Sequence, residues 1–197
     1  METFNIKGVV LEYDDETHTY IADGVIVPSI TTVLSSTKFK GMYNDVDKEV
    51  LKRAADRGTR IHKDIEDYCK GIEHESDEVR GFKFLQKQYD IVPLLNEIPV
   101  LIFYDGKPIM AGRFDLLADI EGKLTLADIK STSTLNIDYL GYQLNLYRVG
   151  LWQSYDQDVE RLAGIHLRGM TRKLADIAID DFKVAEILEL MKGVNNE

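Results

Sequence analysis

The spacing of hydrophobic and polar positions changes several times along the chain, and each change predicts a different structural element. Two short stretches, at about 8–13 and 17–22, have the pattern of strands and are separated by the polar sequence DDET. Pro28 then ends the extended segment, and Ser29 is placed to cap a short helix. Residues 1 to about 35 are therefore predicted to form a β-hairpin extension that leads into this helix.

Apolar positions in the next part of the chain recur at three- and four-residue steps, which is helical periodicity. One helix is predicted from Asp47 to about Cys69. A second is predicted from Val79 to Tyr89 and ends before Pro93, because the residue that precedes a proline avoids the helical conformation.

The rest of the chain alternates between strand and helix patterns. A three-stranded meander with Asp-Gly and Glu-Gly turns is followed by an amphipathic helix of about four turns, two further strands and a helix from about Asp180. The meander strands are expected at about 97–104, 108–119 and 123–130, and the later strands at RLAGIHLR and KLADIAI. This order favours a mixed α/β or α+β domain with helices packed on a central sheet.

The length and composition of the chain exclude several classes of protein. A chain of 197 residues with 44% hydrophobic content suits one domain, and its single cysteine, Cys69, excludes an internal disulfide or a thiolate cluster. No apolar run approaches the roughly 20 residues that span a bilayer, and the first residues lack the pattern of a signal peptide. We therefore expect a cytoplasmic protein that does not interact with membranes.

The formal net charge of −10 argues against a protein that coats nucleic acid, since phosphate binding normally needs a basic surface. An enzyme that holds metal ions on carboxylates is an exception, because the cations themselves attract phosphate.

The candidate chemistry lies in the hairpin AGRFDLLADIEGKLTLADIKST, residues 111–132. Asp128 and Lys130 are two residues apart on one strand and share a face, and the short turn brings Asp115 of the preceding strand beside them. Two carboxylates near a lysine suit phosphodiester hydrolysis with Mg²⁺ or Mn²⁺, which prefer oxygen ligands. A solvated sheet with an ordinary Asp–Lys pair is the stronger interpretation of D-x-K taken alone.

Two pairs of residues at helical spacing accompany the hairpin. His62 and Glu66 share one stripe of the long helix and could face a metal, or form a polar helix edge. Gln143 and Tyr147 are likewise four apart, and could be a core tyrosine beside a solvent-facing glutamine.

Five short motifs, taken in order, resemble the PD-(D/E)XK nucleases of the RecB type. They are GTRIHKDIE (58–66), EIPV (97–100), GRFD (112–115), DIK (128–130) and QLNLY (143–147). The segment HTYIADGVIVPSITTVLS is also similar to prophage-encoded members related to recombination exonucleases. The resemblance implies one nuclease domain over residues 1–197 with a restriction-endonuclease-like core, in which helices flank a central mixed sheet.

The resemblance also implies a role for each residue of the motifs. Asp115, Asp128, His62, Glu66 and the carbonyl of Ile129 would hold Mg²⁺ or Mn²⁺, with Glu66 ligating directly or through water. Lys130 would be the catalytic lysine and, with Asp115, Asp128 and Glu66, complete the catalytic set. Gln143 and Tyr147 would contact DNA and support the lysine, and Glu97 would be a ligand or lie just behind one. The chain departs from many relatives in having Asp rather than Glu in D-x-K, and it lacks the four cysteines of the iron–sulfur subset.

The implied function is a divalent-metal-dependent deoxyribonuclease, more an exonuclease of phage or bacterial recombination or repair than a restriction-type endonuclease. A structure-specific endonuclease and a DNA-binding subunit that no longer cuts are the alternatives. Besides DNA, a recombinase or single-strand-binding protein is an expected partner, and an oligomer is conceivable because related exonucleases form rings. Basic residues cluster near the motifs, namely Arg53, Arg57, Arg60, Lys63, Arg113, Lys130 and Arg148.

Overall fold

The computed structural model describes residues 1–194, so the last three residues of the predicted domain, 195–197, lie outside the described residues. The strands are β1 (Glu2–Ile6), β2 (Val9–Asp14), β3 (Thr19–Ala22), β4 (Val25–Val27), β5 (Ile91–Tyr104), β6 (Lys107–Ile120), β7 (Lys123–Lys130), β8 (Arg161–Arg168) and β9 (Thr171–Ile177). The helices are α1 (Ile30–Ser36), α2 (Lys48–Cys69), α3 (Asp77–Tyr89), α4 (Ile137–Tyr155) and α5 (Asp181–Val194).

The first four strands form an antiparallel sheet in the order β1-β2-β3-β4. The two predicted strands are confirmed as β2 and β3, but the predicted hairpin is the middle of a four-stranded meander. The turn Lys7-Gly8 has positive φ angles of 52° and 86°, as the tight turns of hairpins require, yet lysine at its first position gives no turn signal. β4 is missed because three residues are too few to display an alternating pattern.

The second sheet has the order β5-β6-β7-β8-β9 and is mixed, since β7 and β8 run parallel while the other neighbours are antiparallel. Helix α4 makes the connection between the two parallel strands, which is the usual role of a crossover helix. The predicted mixed α+β fold, with helices flanking a central mixed sheet, is confirmed.

Most predicted boundaries agree with the structure to within a few residues. The Ser29 side chain accepts the Thr32 N–H at 3.0 Å and caps α1 as predicted, while Asp47 caps α2. The clearest difference is β5, which begins at Ile91 rather than at about 97. Pro93 is accommodated in this edge strand next to a shift of register, a place where a missing N–H does no harm.

Helices cover both faces of the mixed sheet and enclose two apolar clusters. One cluster joins the sheet to α1, α4 and α5, and includes Leu117, Leu126 and Leu140. The other joins the opposite face to α2 and α3, and includes Ile61, Phe82 and further residues of the strands. The amphipathic character predicted for this helix is wrong, because α4 is buried on nearly all sides, including every residue from 140 to 147.

The N-terminal sheet packs on β5 and β6 through a third cluster that includes Leu11, Leu101 and Ala111. The Ala111 N–H also donates to the Pro28 carbonyl at 3.0 Å. These contacts hold the N-terminal sheet beside the GRFD segment of β6. Within residues 1–194, the helices are all too short or too polar to cross a membrane.

Two helical glycines should respond to alanine in opposite directions. A Cβ at Gly150 of α4 would lie 2.8 Å from Val100 Cγ2 of β5, whereas one at Gly58 of α2 would meet only Ser131 Oγ at 3.9 Å. Overpacking costs about 1–3 kcal/mol, and replacing a helical glycine with alanine gains up to about 1 kcal/mol. We expect Gly150→Ala to lower the free energy of unfolding in urea and Gly58→Ala to raise it. Equal effects would contradict the close approach of α4 to β5.

Candidate metal centre

The candidate centre lies where β6 and β7 stop pairing. Their register includes Leu116 with Ala127, and the next residues along the two strands are Asp115 and Asp128. The Ile129 N–H donates to Asp115 Oδ2 at 2.6 Å. A side-chain carboxylate therefore accepts the hydrogen bond that a backbone carbonyl would accept in a continuous sheet. Period-two alternation puts Asp128 on the face of Leu126. Along β6 the alternation is interrupted at Asp115, since Phe114 and Leu117 belong to the same apolar cluster, so the approach of Asp115 to β7 is shown by its hydrogen bond with Ile129 rather than by alternation.

His62 joins helix α2 to both strands. Its Nε2 lies 2.8 Å from the Ile129 carbonyl oxygen, and its Nδ1 lies 3.5 Å from Asp115 Oδ1. Ile61 and Ile65 of the same helix are fully buried against the sheet, which fixes the rotation of α2 and turns His62 toward the strand ends. The imidazole, a carboxylate and a backbone carbonyl therefore meet at one point.

Glu97 completes the cluster from the adjacent strand β5. One oxygen of its carboxylate and one ligand atom each of His62 and Asp115 lie within 4.8 Å of one another. Glu97 has a φ of 53°, a left-handed conformation that is uncommon outside glycine, at a point where β5 and β6 lack a register pair. This local break in the sheet turns its side chain toward the centre.

Arg113 holds the Glu97 backbone in this conformation. Its Nε donates to the Glu97 carbonyl at 2.9 Å, and its guanidinium lies 4.9 Å above the ring of Tyr13 while pairing with Glu2. Both Tyr13 and Glu2 belong to the N-terminal sheet, which therefore braces the centre from outside. The sequence gives Arg113 as part of GRFD, but Tyr13 and Glu2 are 100 and 111 residues away along the chain, so these two partners could not be identified from local pattern.

Asp128 and Lys130 form a buried ion pair beside the cluster. Lys130 Nζ lies 2.6 Å from Asp128 Oδ2, and the Asp128 side chain is 1% exposed. Neither carboxylate oxygen has a hydrogen-bond partner among residues 1–194, and Oδ1 also lacks the ion-pair contact that Lys130 makes with Oδ2. An unpaired buried carboxylate oxygen is costly, and a bound cation would satisfy it. The donor set of carboxylates, one imidazole and one carbonyl fits a divalent ion such as Mg²⁺ or Mn²⁺.

Burial and the closeness of the acids to one another change their pKa values. Burial, with the charge of Asp115 second, raises the pKa of Glu97 to about 9 and that of Asp128 to about 6. Burial alone would lower the pKa of Lys130, but the charges of Asp128 and Asp115 outweigh it and hold that pKa above its ordinary value. The centre thus carries more negative charge than Lys130 can balance, which favours binding of a cation.

Glu66 is not brought into this cluster. Its carboxylate lies 3.4 Å from Lys63 on the same helix and pairs with Lys70, the residue that caps the end of this helix. Burial opposes ionisation of Glu66, but these two lysines lower its pKa below the ordinary value. The four-residue spacing from His62 predicted a shared stripe correctly, yet the same spacing also supplies the lysine that engages the carboxylate.

Gln143 and Tyr147 lie in helix α4 beneath the centre and are 3% and 5% exposed. Gln143 Nε2 is 3.5 Å from the Tyr147 hydroxyl, and the Tyr147 ring packs so closely on Gly112 that a Cβ there would approach it to 2.6 Å. Burial raises the pKa of Tyr147 well above its usual range. The tyrosine is thus in the core as one alternative predicted, but the glutamine does not face solvent.

No protein-family model matches the chain, and no curated protein matches it. Among solved structures, the chain is similar to the crystal structure of SSO0001, with a TM-score of 0.47 and 14% sequence identity over 87% of this chain and 77% of that one. This likeness identifies neither a family nor an activity. The protein is thus defined by its own structure, as a mixed α+β protein with a buried carboxylate–histidine–lysine centre.

The raised pKa of Glu97 predicts how the stability of the metal-free protein depends on pH. Between the ordinary carboxyl value of 4.5 and about 9, the folded state binds a proton that the unfolded state has lost, so stability falls as pH rises. We expect Glu97→Gln to flatten this decline, measured as melting temperature in EDTA across that window. Glu66→Gln is the control, since its lowered pKa acts in the opposite direction, on the acid side. An unchanged profile in Glu97→Gln would contradict the buried, crowded position of this acid.

Proposed function

We propose that the protein is a divalent-metal-dependent deoxyribonuclease with a restriction-endonuclease-like core. The observation that carries this is the convergence of Asp115, Asp128 and Lys130 at the end of two paired strands, with one Asp128 oxygen buried and unpartnered. An ordinary wet sheet would expose these charges instead. The five motifs that resemble PD-(D/E)XK nucleases lie on the strands and helices that surround this centre. Their order along the chain supports the same function independently of the measured distances.

Asp115, Asp128, His62, Glu97 and the Ile129 carbonyl would hold the cation. When bound, Mg²⁺ or Mn²⁺ supplies charge for the phosphate oxygens and lowers the pKa of the attacking water. His62 contacts the Ile129 carbonyl and Asp115, so the side chains that would hold the ion face one another.

Lys130 provides the fixed positive charge of the reaction. With its pKa held high it remains an ammonium at neutral pH, and its Nζ is anchored at 2.6 Å from Asp128 Oδ2. From there it can donate a hydrogen bond to a non-bridging phosphate oxygen or to the water that attacks phosphorus. Hydrolysis then adds this water across one P–O bond of the DNA backbone.

The motifs favour an exonuclease in recombination or repair over a structure-specific endonuclease. A DNA substrate agrees with the cytoplasmic location predicted from the sequence. A subunit that only binds DNA is less favoured, because buried acids without catalytic use cost stability and are readily lost. Association with a recombinase or a single-strand-binding protein stays a prediction.

Removal of either the Asp115 carboxylate or the Lys130 ammonium should nearly abolish cutting. We expect Asp115→Asn and Lys130→Gln each to reduce Mg²⁺- or Mn²⁺-dependent DNA hydrolysis by at least about a hundredfold, because each removes a charge aimed at the transition state. The assay compares linear with circular DNA, single- and double-stranded, resolved on gels.

Lys123→Gln is the matched control, since Lys123 is an exposed lysine at the opposite end of β7 and should cut at the wild-type rate. Activity confined to linear DNA would identify an exonuclease. Full activity in Lys130→Gln would exclude the lysine role, and no hydrolysis by the wild type with either ion would favour the non-cutting subunit.

Measurement of metal affinity distinguishes the proposed role of Glu97 from that of Glu66. We expect Glu97→Gln to weaken Mn²⁺ affinity by about tenfold or more, since loss of a ligand or of its near neighbour usually has that effect. Glu66→Gln should change affinity little, because its carboxylate is engaged by Lys63 and Lys70. Isothermal titration calorimetry with Mn²⁺ measures both variants. The reverse order would restore Glu66 as the ligand that the helix motif implies.

A further inference from the structure

A row of basic side chains extends from the centre across the end of the mixed sheet. In the register of the strands, Lys130 of β7 lies beside His166 of β8, which lies opposite Lys173 of β9. Residues that are paired in a sheet share a face, so all three side chains emerge on the side of the candidate centre. Arg168, two residues beyond His166, lies on this face opposite Thr171. We call Lys130, His166, Lys173 and Arg168 the basic row.

Hydrogen bonds make this row continuous with the centre. His166 is buried, and its Nε2 lies 2.7 Å from the Thr132 carbonyl oxygen. Arg168 Nη1 donates to the Ser131 carbonyl at 3.3 Å. The segment that follows Lys130 is thereby fixed to β8, which sets Arg168 and Lys173 at defined positions relative to the catalytic lysine.

The positive charges at the end of the row are not neutralised. Within residues 1–194, neither Arg168 nor Lys173 has a carboxylate within 4.0 Å, and Lys173 is exposed. By contrast, most basic residues that the sequence indicated near the site are in ion pairs, namely Arg53, Arg60, Lys63, Arg113, Lys130 and Arg148. In a protein of net charge −10, unpaired cations beside a hydrolytic centre indicate an anionic ligand that runs past it.

We propose that Arg168 and Lys173 form a track for the phosphates of the DNA strand that flanks the scissile bond. Lys173 lies two strands from Lys130, about 10 Å at the usual strand spacing, which matches roughly three nucleotides of rise in a duplex strand. Both side chains reach phosphate oxygens without reading bases, so the track binds DNA without sequence preference. This role depends on the proposed nuclease function, whose substrate it positions.

The strand register supplies a close control within the same hairpin. Arg172 is adjacent to Lys173 but pairs with Leu167, which puts it on the opposite face, 4.8 Å from the ring of Phe84 on α3. It equals Arg168 in charge and differs in the face it occupies. Lys123, exposed at the other end of β7, serves the same purpose for Lys173.

The test is DNA binding in EDTA, which needs no hydrolysis. Fluorescence anisotropy with a labelled duplex is recorded in about 50–200 mM salt for Lys173→Gln, Arg168→Gln and their controls, Lys123→Gln and Arg172→Gln. Each track variant should weaken binding and reduce the slope of log affinity against log salt by about 0.9, the effect of one lost phosphate contact. In hydrolysis, Lys173→Gln should raise KM and leave kcat unchanged, as expected for loss of uniform binding.

Equal salt slopes for Lys173→Gln and Lys123→Gln would overturn the track, as would preferential binding of polyglutamate over DNA at this edge. If the track variants show the expected loss of salt slope but the wild type cuts with neither Mg²⁺ nor Mn²⁺, the track stands and the nuclease function fails. If it cuts while all variants bind alike, the nuclease function stands and the track fails. Melting temperatures of the variants distinguish lost contacts from misfolding.

Discussion

The buried ion pair between Asp128 and Lys130 is the constraint on which the rest of the centre depends. A carboxylate that is 1% exposed needs a counter-charge, and the lysine two residues along the same strand supplies it at 2.6 Å. Lys130 contacts only Oδ2, and neither Asp128 oxygen has a hydrogen-bond partner among the described residues, while Asp115 adds a second negative charge nearby. Apolar side chains of similar volume would often serve stability as well or better, which supports the proposal that a cation binds here.

Each layer of the fold contributes one part of this arrangement. The mixed sheet brings Asp115 and Asp128 together where its strands diverge, and α2 supplies His62 from one face. From the other face, α4 packs Tyr147 against Gly112 and so supports the strand that bears Asp115. The N-terminal sheet, through Arg113, keeps Glu97 in a conformation that an isolated strand would not adopt. The extension is therefore part of the centre's support rather than an appendage.

Much of the site could be predicted because its geometry is local. Period-two alternation fixes Asp128 and Lys130 on one face, and a two-residue turn fixes the neighbouring strand that carries Asp115. Helical spacing likewise indicates that His62 and Glu66 share a stripe. It does not reveal which of them the neighbouring lysines will engage, and here Lys63 and Lys70 engage Glu66. Glu97, not Glu66, lies with His62 and Asp115, because the pairing of β5 with β6 is interrupted at Glu97. No sequence pattern predicts this interruption.

The sequence by itself determined the order of the elements apart from β1 and β4, the mixed α+β class and the shared face of Asp128 and Lys130, because periodicity and turn chemistry act over a few residues. Only the tertiary structure decided that Glu97 rather than Glu66 lies with His62 and Asp115, that Arg113 is braced by the N-terminal sheet, and that Lys173 falls in line with Lys130. These relations join residues tens of positions apart. They depend on strand register and on competition among charges for partners, which no local pattern encodes.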